Sequence, residues 1–428
     1  MHSAVVEAAQ HILLNILFIF IVATIAGALA EKINIPDVAV FLIAGMLIGP
    51  SAFGIVNIPS NSILNEGILL IGAAFILYHG GTITHLNVLK QVWISVTLLA
   101  TLGVVITAAV VGFAANVLFH IPLMIAFLLG AILASTDPAA LVPIFYKYPI
   151  RNKVAQTVIT ESAFTDATGA ILTTMIIGML IRSSSISGDI FLQFLQLSLG
   201  GIIIGAVIGF ITTFLISNHR LAVFQGFVPT MITIAVFASF LVAEKLHTSG
   251  FMSVFVAGLI FANADVFRIS TEVEVEQKAH AFLETVSLKM RMLIFVLLGS
   301  QIQFHVLAKY GWIALAIAMI FIFIARPLTV LASLLPDRRA KWQKNEWLFF
   351  FWTRETGVIP AALVGMIGGM GIQYMDFLVA STFVAILSTI LLQASTTPWV
   401  AKKLGLLDLS TRKQKWSTVV NENNELDE

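Results

Sequence analysis

The 428-residue sequence predicts an all-α polytopic membrane protein with about thirteen transmembrane helices, on three observations. Hydrophobic residues make up 58% of the chain and charged residues only 11%, with a mean hydropathy of +0.97; soluble domains carry about 25% charged residues. Apolar runs of about 20 residues, long enough to cross a bilayer as helices, recur along the chain. Lysines and arginines, finally, segregate between alternate connections, as the positive-inside rule requires.

The runs lie at about 11–30, 35–54, 63–81, 91–118, 122–146, 154–181, 189–217, 222–244, 248–264, 292–308, 311–335, 346–369 and 376–401. Connections after odd-numbered spans hold nineteen Lys and Arg, the N-terminus and the other connections hold three, and Arg326 and Arg354 lie inside spans. A miscount by one helix would scramble this pattern downstream, so the asymmetry supports the division itself. It predicts a multi-pass protein of the cell (inner or plasma) membrane, N-terminus outside and C-terminus cytoplasmic. Residues 1–10 have no basic n-region or small-residue cleavage site, so no cleaved signal peptide is expected. The polar stretch 270–289 reads as a surface-lying cytoplasmic helix, and 404–428 as a short polar cytoplasmic tail.

Composition also excludes functions. Cysteine is absent, which removes disulfides, thiolate catalysis and cysteine metal sites. A net charge of +1 makes no electrostatic case for nucleic acid. No phosphate-binding, zinc-protease or serine-hydrolase motif occurs, so neither an enzyme nor a cofactor is expected. The 32 phenylalanines are packing and lipid-facing surface.

Against this background, a few polar residues stand out inside spans. In "LLGAILASTDPAALVPIF" (128–145), Pro138 and Pro143 interrupt the fifth span just after Thr136 and Asp137. Broken backbone at membrane depth survives only inside protein or beside a watery cavity. Its freed carbonyls, hydroxyls and carboxylate suit a hard monovalent cation; alternatively, Asp137 merely caps the second half-helix. In "VITESAFTDATGAILTTMI" (158–176), Ser162 and Asp166 share one helix face, and Glu161 and Thr165 an adjacent one. These form either an ion site or two structural ion pairs.

Arg326, mid-span in the eleventh run, must face the interior and pair, and Glu161 is an available partner. That pairing leaves one carboxylate of span six over. The twelfth run carries Arg354, Glu355 and Thr356 beside Gly357 and Pro360: a second broken helix, or a neutral pair near the interface. His79, at the predicted cytoplasmic end of span three, is a satisfied polar group or a pH sensor.

A resemblance follows from these motifs. "ASTDPAALVP" and "ESAFTDATGA" in consecutive spans resemble the TDP and ESxxND/DD elements of monovalent cation/proton antiporters. "FLIAGMLIGPSAFGI", "HTSGFMSVFVAGLIFAN" and "ARPLTV" resemble the glycine-rich, SGF…AGL and arginine-bearing spans of that superfamily, in family order. "FILYHGGTI" is similar to the F-D-G-G element of its NhaP-like branch.

The resemblance implies the two-bundle NhaA/NhaP-type fold: inverted repeats, and a core with two crossed, unwound helices that moves elevator-fashion against a dimerising scaffold. Carried onto this chain, residues 1–403 form the antiporter domain. Scaffold spans fall at about 11–81 and 222–308, core spans at about 91–181 and 311–401, and a linker span at 189–217. The resemblance makes Asp166 the ion-binding carboxylate, with Asp137, Thr136 and Ser162 as ligands or near-ligands beside Thr165. A monovalent cation would sit at Asp166, Thr136 and Ser162, while Glu161 pairs with Arg326. Three positions depart from the pattern. Thr165 replaces an Asn or Asp, His79 replaces the F-D-G-G aspartate, and Thr356 stands at the arginine of GLRG, with Arg354 two residues earlier.

The expected activity is secondary antiport of Na⁺ or K⁺ against H⁺, serving cation and pH homeostasis. A buried carboxylate is costly to leave ionised and empty, so proton and cation compete for Asp166. With Thr165 uncharged and Glu161 paired, exchange is expected to be one for one and electroneutral. The rivals are an electrogenic antiporter using Glu161 or Asp137, and a cation channel or transport subunit gated by a separate cytoplasmic protein. The expected partners are membrane lipid, a second copy of the chain, and in the last case that regulatory subunit.

Overall fold

A computed structural model describes residues 4–33, 35–137, 141–182, 190–217 and 224–408. Among them the only β pairing is a single bridge between Ile150 and Leu407; everything else regular is helical.

The chain opens with α1 (Ala4–Ile33), α2 (Asp37–Ile48) and α3 (Ile63–Thr82), then α4 (Leu86–Ala100) and α5 (Leu102–Phe119), which are offset at Thr101. A broken span follows, α6 (Leu123–Ala134) and α7 (Val142–Lys147), then the long α8 (Asn152–Arg182). Next come α9 (Ile190–Ser217), α10 (Val228–Lys245), α11 (Gly250–Ala262) and α12 (Val273–Ser300). The remaining helices are α13 (Phe304–Ile320), α14 (Arg326–Leu334), α15 (Lys344–Trp352), α16 (Val358–Ile367), α17 (Met375–Thr389) and α18 (Ser395–Lys403).

Eight helical stretches among the described residues are each long and apolar enough to cross a membrane, and α2, α6, α11 and α16 are shorter apolar helices. The tenth predicted span falls in the C-terminal half of α12. Here the structure corrects the sequence reading. Residues 270–289 do not form a separate surface helix, because from Val273 they run unbroken into α12. Val275, Ala279, Leu283 and Ser287, spaced by four, keep one buried stripe continuous through the polar stretch. The helix stops at Ser300, and residues 304–308 belong to α13. Pro138 and tail residues 409–428 lie outside the described residues.

Small residues let helices approach closely where lipid offers no hydrophobic drive for association. A Cβ on Gly130 of α6 would lie 2.5 Å from the Ala108 carbonyl of α5, and one on Gly258 of α11 would strike the Tyr78 carbonyl of α3. The helices α9, α10 and α11 pack on one another, and α3 packs on α11. On the other side, α6 packs on α5 and α8, and α13 on α17. A π-helical turn at Phe321–Ala325 precedes Arg326–Pro327, and a second occupies Ile390–Ala394. Such turns often mark functional positions, and both lie beside the polar centre described next.

Candidate ion-binding site

Two interrupted helices meet at the centre. The first half-helix, α6, ends at Ala134, and Ser135 turns extended. Likewise α15 ends at Trp352, and the chain runs extended through Thr353 until α16 begins at Val358. The extended segments are joined by the Asp137 N–H, which donates to the Glu355 carbonyl at 2.8 Å.

Each broken helix caps the other. The Val358 N–H, at the start of α16, donates to Asp137 Oδ2 at 3.2 Å. Arg354 Nη2 donates to the Ala134 carbonyl, at the end of α6, at 2.8 Å. An anion thus sits at a helix N-terminus and a cation at a C-terminus, the favourable sense for both helix dipoles. Asp137 therefore caps α16 of the opposite broken helix. Gly357 leaves room for this, since a Cβ there would land on the Asp137 carboxylate.

Across from the crossing, α8 presents Glu161, Ser162, Thr165 and Asp166, all buried. Ser135 Oγ donates to Asp166 Oδ1. Thr136 Oγ1 donates to Ser162 Oγ at 3.1 Å and lies 2.7 Å from Thr165 Oγ1. Arg326 holds Glu161 through both terminal nitrogens, Nη2 at 3.0 Å. It also binds carbonyls at the end of α15 and just past it, Nε to Phe350 at 2.7 Å and Nη2 to Thr353 at 2.8 Å. One guanidinium thus joins α8 to the second broken helix.

The structure therefore brings together Asp166, Asp137, Thr136, Ser162 and Thr165, and places Glu161 on Arg326. Arg354 also stacks its guanidinium 5.1 Å from the Phe321 ring centroid. The Thr356 amide donates to Thr389 Oγ1 at 3.2 Å. Glu355 is 1% exposed, and among the described residues neither of its carboxylate oxygens has a hydrogen-bond partner.

A cavity of about 430 Å³ runs from Asp166 and Asp137 past His79 to His280, Glu284 and Arg291 of α12. It reaches the surface at exposed His280 and Glu284. The His79 and His280 rings stand nearly perpendicular, their centroids 6.4 Å apart. Sequence reasoning missed Ser135 as the partner of Asp166, and no signal in the sequence pointed to it; in the structure Gly169 leaves room for that approach, since a Cβ there would lie 3.2 Å from that of Ser135. It also missed the α12 lining, having read residues 270–289 as a surface-lying cytoplasmic helix.

Hydroxyl and carboxylate oxygens at the foot of a water-reached cavity, with no soft donor, suit a hard monovalent cation or a proton. With broken helices crossing beside them, they define an ion-coupled secondary transporter.

Comparison with known proteins supplies the family. The family model for the sodium/hydrogen exchanger, transmembrane, matches residues 18–403. The chain belongs to that family, whose members are transporters rather than enzymes, as the motifs implied. It is 32% identical over 411 residues to the K(+)/H(+) antiporter NhaP of Alkalimonas amylolytica, covering 94% of this chain and 68% of that protein. It is 30% identical over 413 residues to Na(+)/H(+) antiporter 1 of Methanocaldococcus jannaschii, covering 90% and 93%. The solved structure of the sodium proton antiporter MjNhaP1 from that organism, at pH 8, superposes with a TM-score of 0.81 at 29% identity. That match covers 94% of this chain and 99% of the other.

Proposed function

We propose that this protein exchanges one Na⁺ or K⁺ for one H⁺ across the cell membrane, without net charge movement, in the service of cation and pH homeostasis. The observation that carries the reading is Asp166. It is buried at the foot of the cavity among hydroxyls, hydrogen-bonded to Ser135 and, among the described residues, held by no countercharge in an ion pair. A carboxylate so placed needs a bound cation or a proton before the site closes, and the two exclude each other. Relatives named for K⁺ and for Na⁺ both support a monovalent cation of either kind.

In this reading the cavity opens to the cytoplasm. Spans at about 91–181 and 311–401 move as a core against a dimeric scaffold of about 11–81 and 222–308, with 189–217 as the linker. His79 faces His280 and Arg291 at the mouth, where a charged imidazole would repel an incoming cation. A His79→Gln protein with an unaltered pH profile would remove that role.

One observation favours a second reading, electrogenic exchange. Four buried carboxylates (Asp137, Glu161, Asp166, Glu355) meet two buried guanidiniums (Arg326, Arg354). Glu161 is neutralised by Arg326, and among the described residues Glu355 has neither an ion-pair nor a hydrogen-bond partner. An unpartnered carboxylate is far cheaper to bury as the neutral acid. If its proton stays put, exchange is one for one; if the proton is carried, the cycle moves charge. Proteoliposomes separate the readings: cation-driven collapse of a pH gradient is indifferent to an imposed membrane potential only in the electroneutral case.

A further inference from the structure

A second polar cavity, of about 320 Å³, lies away from the ion site, between α4 and the segment joining α14 to α15. Lys90, Trp93, Lys153, Asp337 and Arg339 line it. Its one carboxylate is already committed. Asp337 is buried and accepts from the Ser95 N–H at 3.1 Å, Ser95 Oγ at 2.6 Å and the Ala340 N–H at 3.2 Å. Lys153 forms the fixed floor, with Nζ 2.6 Å from the Ala340 carbonyl, 3.3 Å from Glu346 and 3.9 Å from the Trp342 ring centroid. Lys90 and Arg339, at the rim, are exposed, and among the described residues neither has an ion-pair partner. The cavity therefore presents a net positive charge that the protein does not neutralise.

What lies below it decides the class of ligand. Leu328 and Leu331 of α14 and Leu335 just past its end, spaced i, i+3, i+7, put one apolar stripe on the outer face of that helix, which packs on α4. Leu335 is 63% exposed and Trp93 is 50% exposed. An outward leucine stripe that ends at an aromatic and unpaired cations matches a phospholipid, with acyl chains along the stripe and phosphate at the cations. Basic pockets on the positively charged side of membrane proteins bind anionic headgroups in this way.

We propose that this cavity is a binding site for the phosphate headgroup of an anionic phospholipid, held by Lys90 and Arg339 over the Lys153 floor. The site is coupled to the carrier by construction. Lys153 sits in the first turn of α8, the helix that bears Asp166, and α4 packs along α8.

The test titrates phosphatidylglycerol into the purified full chain in neutral detergent, reading bound lipid by native mass spectrometry, with phosphatidylcholine and inorganic phosphate as parallel arms. Phosphatidylglycerol is expected to bind in preference to phosphatidylcholine, and roughly ten- to thirtyfold more weakly to the Lys90→Gln/Arg339→Gln protein. A Lys402→Gln/Lys403→Gln protein should bind like wild type. High salt applied to the unaltered protein should weaken binding likewise, which keeps the test decisive if the double variant misfolds. Equal binding of the two lipids, undiminished binding to the double variant, or inorganic phosphate competing as well as the lipid does would each overturn the proposal.

Discussion

Asp137 donates its backbone N–H to the carbonyl of Glu355, 2.8 Å away, where two interrupted helices cross. Around that bond, Asp137 caps the start of α16 and Arg354 the end of α6. The two breaks therefore form one mechanical unit.

Gly357→Ala should cripple transport, because the added methyl would occupy the space of the Asp137 carboxylate. Gly67→Ala, where a Cβ meets nothing within 4 Å, should leave transport and stability as they are. Cation-driven collapse of a pH gradient, measured on both proteins at matched expression, checks the contrast; equal activity of the two would show that Asp137 does not need that space.

Arg326→Ala should destabilise the protein by about 3–5 kcal/mol, the usual cost of leaving a buried charge without its partner. Glu161→Gln should cost less, since Arg326 would keep the carbonyls of Phe350 and Thr353. Arg326→Lys should rescue only part of the loss, because an ammonium cannot reach the carboxylate and both carbonyls at once. Thermal unfolding in detergent ranks the three; an order with Glu161→Gln lowest would contradict the double role of Arg326.

Ser135→Ala removes the hydroxyl that donates to Asp166. A hydrogen bond to a charged group contributes about 1.5–3 kcal/mol. Its loss should weaken the ionised carboxylate's hold on the cation relative to the proton. The apparent KM for the cation should rise about tenfold or more, with maximal rate largely kept. A lower maximal rate at unchanged KM would instead make Ser135 part of the moving crossing.

Glu355→Gln keeps the shape of the neutral acid. Under the electroneutral account it should exchange within a few-fold of wild type and, like wild type, ignore membrane potential. A potential that drives wild-type exchange but not that of Glu355→Gln would place a second carried proton on Glu355 and establish the electrogenic reading.

Much of this architecture was legible in the sequence, because membrane physics writes itself in one dimension. Apolar length marks the helices, eight of which among the described residues are long and apolar enough to cross a membrane. Polar residues inside α8 needed no structure to stand out, since Glu161, Ser162, Thr165 and Asp166 fall on adjacent faces by spacing alone. Other features depend on relations between distant segments. Nothing local told that Asp137 would cap α16, or that the Ser135 beside it would turn to Asp166 once the helix broke. The polar residues of 273–289 hid a buried stripe that only the packing of α12 makes plain. Glu355 was visible as an acid in a span, but the absence of a hydrogen-bond partner for its carboxylate among the described residues is a fact of three dimensions.

The central claim is that proton and cation compete for Asp166. The most direct test is dissipation of a pH gradient in proteoliposomes on adding Na⁺, K⁺ or Li⁺, for wild type and Asp166→Asn, with and without a proton-permeant shunt. Wild type should collapse the gradient on adding Na⁺ or K⁺, and Asp166→Asn, folded and inserted to the same extent, should lose about a hundredfold or more of that rate. Cation-driven proton movement surviving in Asp166→Asn would contradict the account.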